Sequence, residues 1–262
     1  MTSGSLVPQP ILHSFPPNRF FETRRGAGTP VVLIHGRGGS SDWWRHNVDA
    51  LAAKYLVSTV DLIGVGPNRF VQRRSVLPSA FSRIAELLTR WIESSFEEPV
   101  HLVGNSMGGH IAIYLAAGRP DLVRSLILVD SSGVPFALTP GPHVRNVLSI
   151  ADARSLATML ARDMFRSSPA SMLLGLSRIV RDDARPLMRT LTMPVLLLWG
   201  DHDPLVPLPY GRAAAESIPG ARLIVVPHAG HVPMWDNPEV FNAELLAFLA
   251  GNGQHTHSIP SS

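Results

Sequence analysis

Three short runs of this chain carry residue types that perform nucleophilic and acid–base chemistry. In Leu102-Val103-Gly104-Asn105-Ser106-Met107-Gly108-Gly109, an apolar stretch stops at a serine with glycine two places before and two places after it, and a helical pattern begins at once. The glycines suit a strand that reverses into a helix within a few residues, where backbone passes so close to backbone that side chains would clash. The same geometry predicts strained φ/ψ at Ser106, which would lift its hydroxyl clear of the sheet. A serine hydroxyl is a poor nucleophile near neutral pH, so it needs a base within hydrogen-bond reach, and that base needs an orienting carboxylate.

Both partners can be found downstream. Val225-Val226-Pro227-His228-Ala229-Gly230-His231 reads as a strand running into a loop with two histidines. His231, behind Gly230 where the chain can turn sharply, is the candidate base; His228, directly after the strand, reads as loop support. The apolar run Val195 to Trp199 ends in Gly200-Asp201-His202-Asp203-Pro204, and Asp203 is the candidate orienting carboxylate. Two rivals remain. Asp201 lies in the same loop and reads as a turn residue bonding nearby backbone, and Asp130, after Leu126 to Val129, could serve the same histidine from a neighbouring strand end. His35, His46, His101, His110 and His202 have ordinary readings as turn, strand or helix residues, although His110 is near enough to Ser106 to touch a substrate.

The oxyanion of a tetrahedral intermediate needs preorganised donors, each worth roughly 3 kcal/mol. Met107 follows the serine at a helix N-terminus, where amides point outward and the dipole favours negative charge. A second donor is expected from His35-Gly36-Arg37-Gly38-Gly39, with the Arg37 amide assigned. That glycine loop lacks the spacing of a nucleotide-binding loop. The scattered histidines and aspartates have no metal-ligand spacing, so no metal and no cofactor is expected.

The elements that must position these residues alternate between strand-like and helical patterns, as in a mostly parallel sheet covered on both faces. Strands are predicted at Val31 to Ile34, Leu56 to Asp61, Val100 to Val103, Leu126 to Val129, Val195 to Trp199 and Arg222 to Val226. Helices are predicted at Trp43 to Lys54, Ser79 to Ser94, His110 to Gly118 and Val240 to Leu249. An antiparallel edge pair at Ile11 to Phe15 and Arg19 to Arg25 is weakened by Pro16 and Pro17. From Val134 to Thr192 the alternation breaks into short helical pieces punctuated by prolines, with methionines such as Met159 and Met188 beside arginines such as Arg154 and Arg178. This reads as a helical cap at residues 134–192 on a core formed by residues 1–133 and 193–250; residues 251–262 read as a disordered tail.

The 262 residues suffice for one large α/β domain, and the absence of cysteine excludes disulfides, thiolate metal sites and a cysteine nucleophile. A formal charge of +3 spread over arginines, with Lys54 the sole lysine, gives no basic block for nucleic acid. No membrane-length apolar run and no secretory pattern is read, so a cytoplasmic protein, monomer or homodimer, is expected.

Over Val31 to Leu249 the chain resembles the α/β-hydrolase superfamily. The resemblance rests on His35-Gly36 with its glycines, Asp61-Leu62-Ile63-Gly64-Val65-Gly66, Gly104 to Gly109, Gly200 to Asp203 and Gly230-His231. It implies a twisted, mostly parallel sheet flanked by helices, with the cap inserted after strand six. The elbow looks most like those of carboxylesterases and of hydrolases that cleave carbon–carbon bonds in keto acids. The leading expectation is a serine esterase acting on a small or medium ester with an apolar acyl part, through Ser106, His231 and Asp203, with His35, Gly36, Asn105 and Trp235 against the substrate. Alternatives are carbon–carbon bond hydrolysis with an arginine holding a carboxylate, lactone or thioester hydrolysis, and a ligand-binding protein with little turnover.

Overall fold

The computed structural model describes residues 10–15, 18–62, 81–135 and 181–251. Among the described residues eight strands form one sheet: β1 (Ile11–Phe15), β2 (Asn18–Arg25), β3 (Pro30–Ile34), β4 (Leu56–Asp61), β5 (Val100–Asn105), β6 (Val123–Val129), β7 (Val195–Gly200) and β8 (Arg222–Val226). Their order is β1-β2-β4-β3-β5-β6-β7-β8. The first two strands pair antiparallel, β2 joins β4 antiparallel, and every later pairing is parallel. The edge pair thus forms as expected, and β2 is pinned by the buried Glu22, which accepts bonds from Ser58 Oγ and Arg24 Nε and lies 2.7 Å from His13 Nε2.

Because both faces of the parallel strands are covered, their sequences are continuous apolar runs rather than alternations. Val32, Ile34, Leu102, Leu126, Leu128, Leu197 and Trp199 pack in a core shared with helices α2 (Phe81–Ser95) and α3 (Met107–Gly118). Val31, Leu33, Val103, Ile127, Val129, Leu196 and Leu198 face the other way, with Leu51 of α1 (Val48–Ala52) and Phe241 and Leu245 of a C-terminal helix. That helix, α7, spans Pro238–Leu249. Between β6 and β8 lie α4 (Arg185–Met188) and α5 (Leu208–Ser217), and α6 (Pro233–Asp236) precedes α7.

The expected helix at Trp43 to Lys54 is broken. Ser41–Trp44 is a 3-10 turn and α1 starts only at Val48. Between them, buried Asn47 donates to Met234 O and Asn242 Oδ1, a long-range anchor that overrides local helical preference. Helix α3 begins at Met107, three residues before the expected start. The α5 helix is not among the expected ones; its Pro209 lies in the first helical turn, where no amide bond is lost. Among the described residues the strand that follows β6 is β7, from Val195; most of the expected cap lies at residues 136–180, outside the described residues, as does the tail from residue 252. Among the described residues no helix is long and apolar enough to cross a membrane.

Candidate active site

Parallel register brings the carboxyl ends of five strands into line, with Ile34 beside Gly104, Asn105 beside Val129, Val129 beside Leu198 and Gly200 beside Val226. Brackets of loop after these ends carry every residue singled out for nucleophilic chemistry.

Ser106 follows β5 and caps α3 with φ 52° and ψ −116°, a strained backbone for a residue with a side chain. The surrounding packing holds it there. Its amide donates to Val129 O at 2.9 Å, and its carbonyl accepts the His110 amide at 3.1 Å and the Ser132 amide at 3.3 Å. The flanking glycines are required by contact: a Cβ on Gly104 would lie 2.5 Å from the Gly108 carbonyl, and one on Gly108 would lie 2.4 Å from Ile34 O. Met107 is the first residue of α3, so its amide is among those that find no acceptor within the helix.

Asp203 and His231 meet across two loops, with His231 Nδ1 2.8 Å from Asp203 Oδ2. The other oxygen of Asp203 accepts the amides of Leu205 (2.7 Å) and Val206 (3.0 Å), so the carboxylate is oriented by its own turn before the histidine arrives. Both side chains are buried. The base loop is fastened to the elbow by Asn105, whose Nδ2 donates to His231 O at 3.1 Å and to Val129 O at 3.2 Å. Asp201 ties the two loops together by accepting the Ala229 amide at 3.0 Å, and Asp236 accepts the Gly230 amide at 2.8 Å. The sharp turn expected at Gly230 falls instead on His228, whose φ is 57°. Glycine is required on the facing loop: a Cβ on Gly200 would sit 2.1 Å from Gly230 O.

The glycine loop after β3 reaches the same place. A Cβ on Gly36 would be 3.2 Å from Ser106 Cβ and 2.7 Å from Asn105 Oδ1. Arg37 follows, half-buried. Two devices hold this loop. Asp61, at the end of β4, accepts the Ser41 amide at 2.7 Å and its hydroxyl at 3.1 Å, and Trp43 is buried against Gly36 and Gly39.

The expected substrate contacts fall differently. His35 is fully buried, with Nδ1 donating to Gly36 O at 2.7 Å and Nε2 accepting the Leu62 amide at 3.0 Å. Both ring nitrogens therefore serve the main chain, and burial lowers its pKa against the opposing pull of Asp61. Asn105 is likewise fully buried, with its Nδ2 taken up as a strut. Trp235 packs edge-on to His46 at 4.7 Å and under the Arg45 guanidinium at 4.7 Å.

A second constellation was missed. His110, completely buried, lies with Nε2 2.7 Å from Asp182 Oδ2 and Nδ1 3.1 Å from Ser132 Oγ. Tyr114 also donates to Asp182, at 2.9 Å, and its phenol is pushed up to about 12 by burial and by that carboxylate. Ser132 Oγ points back at Ser106 O, 3.5 Å away. Only the i, i+4 spacing of Ser106 and His110 hinted at this, because Asp182 sits in a stretch with no readable periodicity. Among the described residues no group of three or more His, Asp or Glu side chains is placed to hold a metal ion.

The model of the alpha/beta hydrolase family matches residues 31–244. The chain is 31% identical over 259 residues to a pimeloyl-acyl-carrier-protein methyl ester esterase of Chromobacterium violaceum, covering 88% of this chain and 98% of that one. It is 29% identical over 253 residues to the dihydrolipoyllysine-residue acetyltransferase component of an acetoin cleaving system of Pseudomonas putida, covering 88% of this chain but spanning only 66% of that relative's length. In structure it resembles a bromoperoxidase of Bacillus anthracis, with a TM-score of 0.78 at 22% identity over 92% of this chain and 100% of that one.

Proposed function

The chain belongs to the alpha/beta hydrolase family, and from that membership together with the site geometry we propose that it is a serine hydrolase cleaving a small or medium carboxylic ester with an apolar acyl part. The observation that carries this reading is the 2.8 Å bond from His231 to Asp203 on loops fastened to the strained serine turn. A buried histidine oriented by an anchored carboxylate has little structural purpose beside a serine forced into such backbone unless the hydroxyl is to be activated.

With Nδ1 bonded to the carboxylate, Nε2 is the ring nitrogen that accepts the Ser106 proton as Oγ attacks the ester carbonyl. The amides of Met107 and Arg37 stabilise the oxyanion. The imidazolium then protonates the departing alkoxide, and water, deprotonated by the same ring, releases the acid and restores Ser106. His35, Gly36 and Asn105 act by shaping the loops around the reacting carbonyl rather than by binding substrate. The Chromobacterium relative, named for a methyl ester substrate, supports an ester over other acyl bonds.

Ser106→Ala tests this. Turnover of a p-nitrophenyl ester should fall about 10⁴-fold or more, with circular dichroism unchanged, and a fluorophosphonate probe should label the wild type at Ser106 alone. Undiminished turnover by the purified variant overturns the proposal.

A further inference from the structure

One buried carboxyl beside the site has no place in that mechanism. Asp130 follows β6, is fully buried and has a φ of 41°. Main chain of β7 fixes it from two sides: its amide donates to Leu198 O at 3.1 Å, and its Oδ1 accepts the Gly200 amide at 3.0 Å. Its Oδ2 is buried and receives no hydrogen bond. Gly200, which donates to Asp130, also accepts the Asp203 amide at 3.5 Å, so the two acids are held by the same residue, and the charges of Asp203 and, more weakly, Asp236 act on the Asp130 carboxyl.

An ionised Asp130 would combine two penalties: an oxygen stripped of water with no donor, and a negative charge against that of Asp203. Protonation removes both, since the hydroxyl becomes a donor and the acceptor it needs is adjacent. Asp203 can take one more bond. Its oxygens accept from Leu205, Val206 and His231, and a carboxylate offers about four lone-pair sites. Burial first, and then the charge of Asp203, push the Asp130 carboxyl well above the ordinary carboxylate range.

Resting on the reading that Asp203 orients His231, we propose that Asp130 is a positioning residue: it stays a neutral carboxylic acid and donates a hydrogen bond to Asp203, so that an acid pair sharing one negative charge holds the base. No proton leaves the pair during turnover. The Asp130 hydroxyl fixes the side-chain angle of Asp203, and the Gly200 amide fixes Asp130, so β6 and β7 jointly aim the imidazole.

Two substitutions and a spectrum decide it. Asp130→Asn offers an amide N–H to Asp203 and an oxygen to Gly200 with no change of charge from the neutral acid, and Asp130→Leu keeps the bulk without the donor. Asn should leave kcat/KM within about threefold of wild type, since donor and acceptor are matched, with the acid limb of the pH profile unmoved. Leu should lower kcat about tenfold or more through misorientation of the base. A wild-type minus Asp130→Asn infrared difference at mildly alkaline pH should show the carbonyl band of a protonated carboxyl. An acid limb that moves to lower pH in the Asn variant marks the loss of a real negative charge beside the imidazole and overturns the proposal, as does absence of the band. If the wild type cleaves no ester, the functional reading fails, while the infrared band still decides the state of Asp130.

Discussion

Two histidine–aspartate pairs flank Ser106, each with a serine at hand, and they are built for opposite ends. His231 and Asp203 come from loops after β8 and β7, and the aspartate is anchored by two backbone amides before it meets the ring at 2.8 Å. His110 and Asp182 join helix α3 to the segment leading into α4, at 2.7 Å. The distances are nearly alike; the ring's second nitrogen makes the difference. In His110 that nitrogen is taken up by Ser132, whose hydroxyl faces the carbonyl of Ser106 rather than its side chain. In His231 the carboxylate occupies Nδ1, and on the proposed reading Nε2 is the nitrogen that takes the serine proton. A His–Asp pair near a serine is therefore no signature of nucleophilic chemistry by itself. One pair braces the elbow's backbone against the chain leading into α4, and the other is, on the proposed reading, the pair that serves the elbow's hydroxyl.

Matched substitutions put the largest strain on this contrast. Asp203→Asn should reduce kcat on a p-nitrophenyl ester by about 10³ to 10⁴, because the ring loses the acceptor that holds its tautomer. Asp182→Asn should reduce kcat less than about tenfold, since its partner touches no reacting atom. Equal losses in the two variants would break the distinction.

Gly200→Ala sharpens it from the other side. Its methyl would fall 2.1 Å from Gly230 O, so the base loop must shift, and a displacement of about 1 Å costs roughly 10²-fold in rate. Labelling of Ser106 should slow in parallel while the His110 cluster is untouched; wild-type kinetics would show that the base loop has more freedom than its contacts imply.

The bracing pair should register in stability. Removing the buried ring in His110→Ala leaves Ser132 and Asp182 each short of one hydrogen bond and should cost about 1–3 kcal/mol in chemical denaturation. The smallest effect is its pH dependence. The His110 hydrogen bond, with help from Tyr114, holds the Asp182 carboxyl below the usual carboxylate range. A folded pKa below the unfolded one means that the unfolded chain binds more protons in that window, so the stabilisation is complete above the unfolded value of about 4 and fades as pH falls further. The difference in thermal midpoint between wild type and Asp182→Asn should accordingly narrow in acid; a constant difference would argue that the pair contributes through packing alone.

What the chain's one-dimensional pattern determined is substantial and local. Continuous apolar runs marked the central strands because both faces of a parallel sheet are covered, and the glycine spacing around Ser106 marked the turn because only glycine tolerates backbone at 2.4 to 2.5 Å. Asp203 and His231 were legible as residues just past strand ends, where a parallel sheet gathers its loops. Other features had no local trace. The break after Trp44 depends on Asn47 reaching Met234 and Asn242, and the occupation of His35 and Asn105 by main-chain groups depends on Leu62, Val129 and His231 lying alongside. The same holds for His110 and Asp182, 72 residues apart, and for Asp130, which as one of three candidate acids could be ranked only once the register of β6 against β7 was known. Periodicity reports which face of an element is buried; which polar groups end up within 3 Å of one another is set by strand order and loop path, and only the assembled sheet decides that.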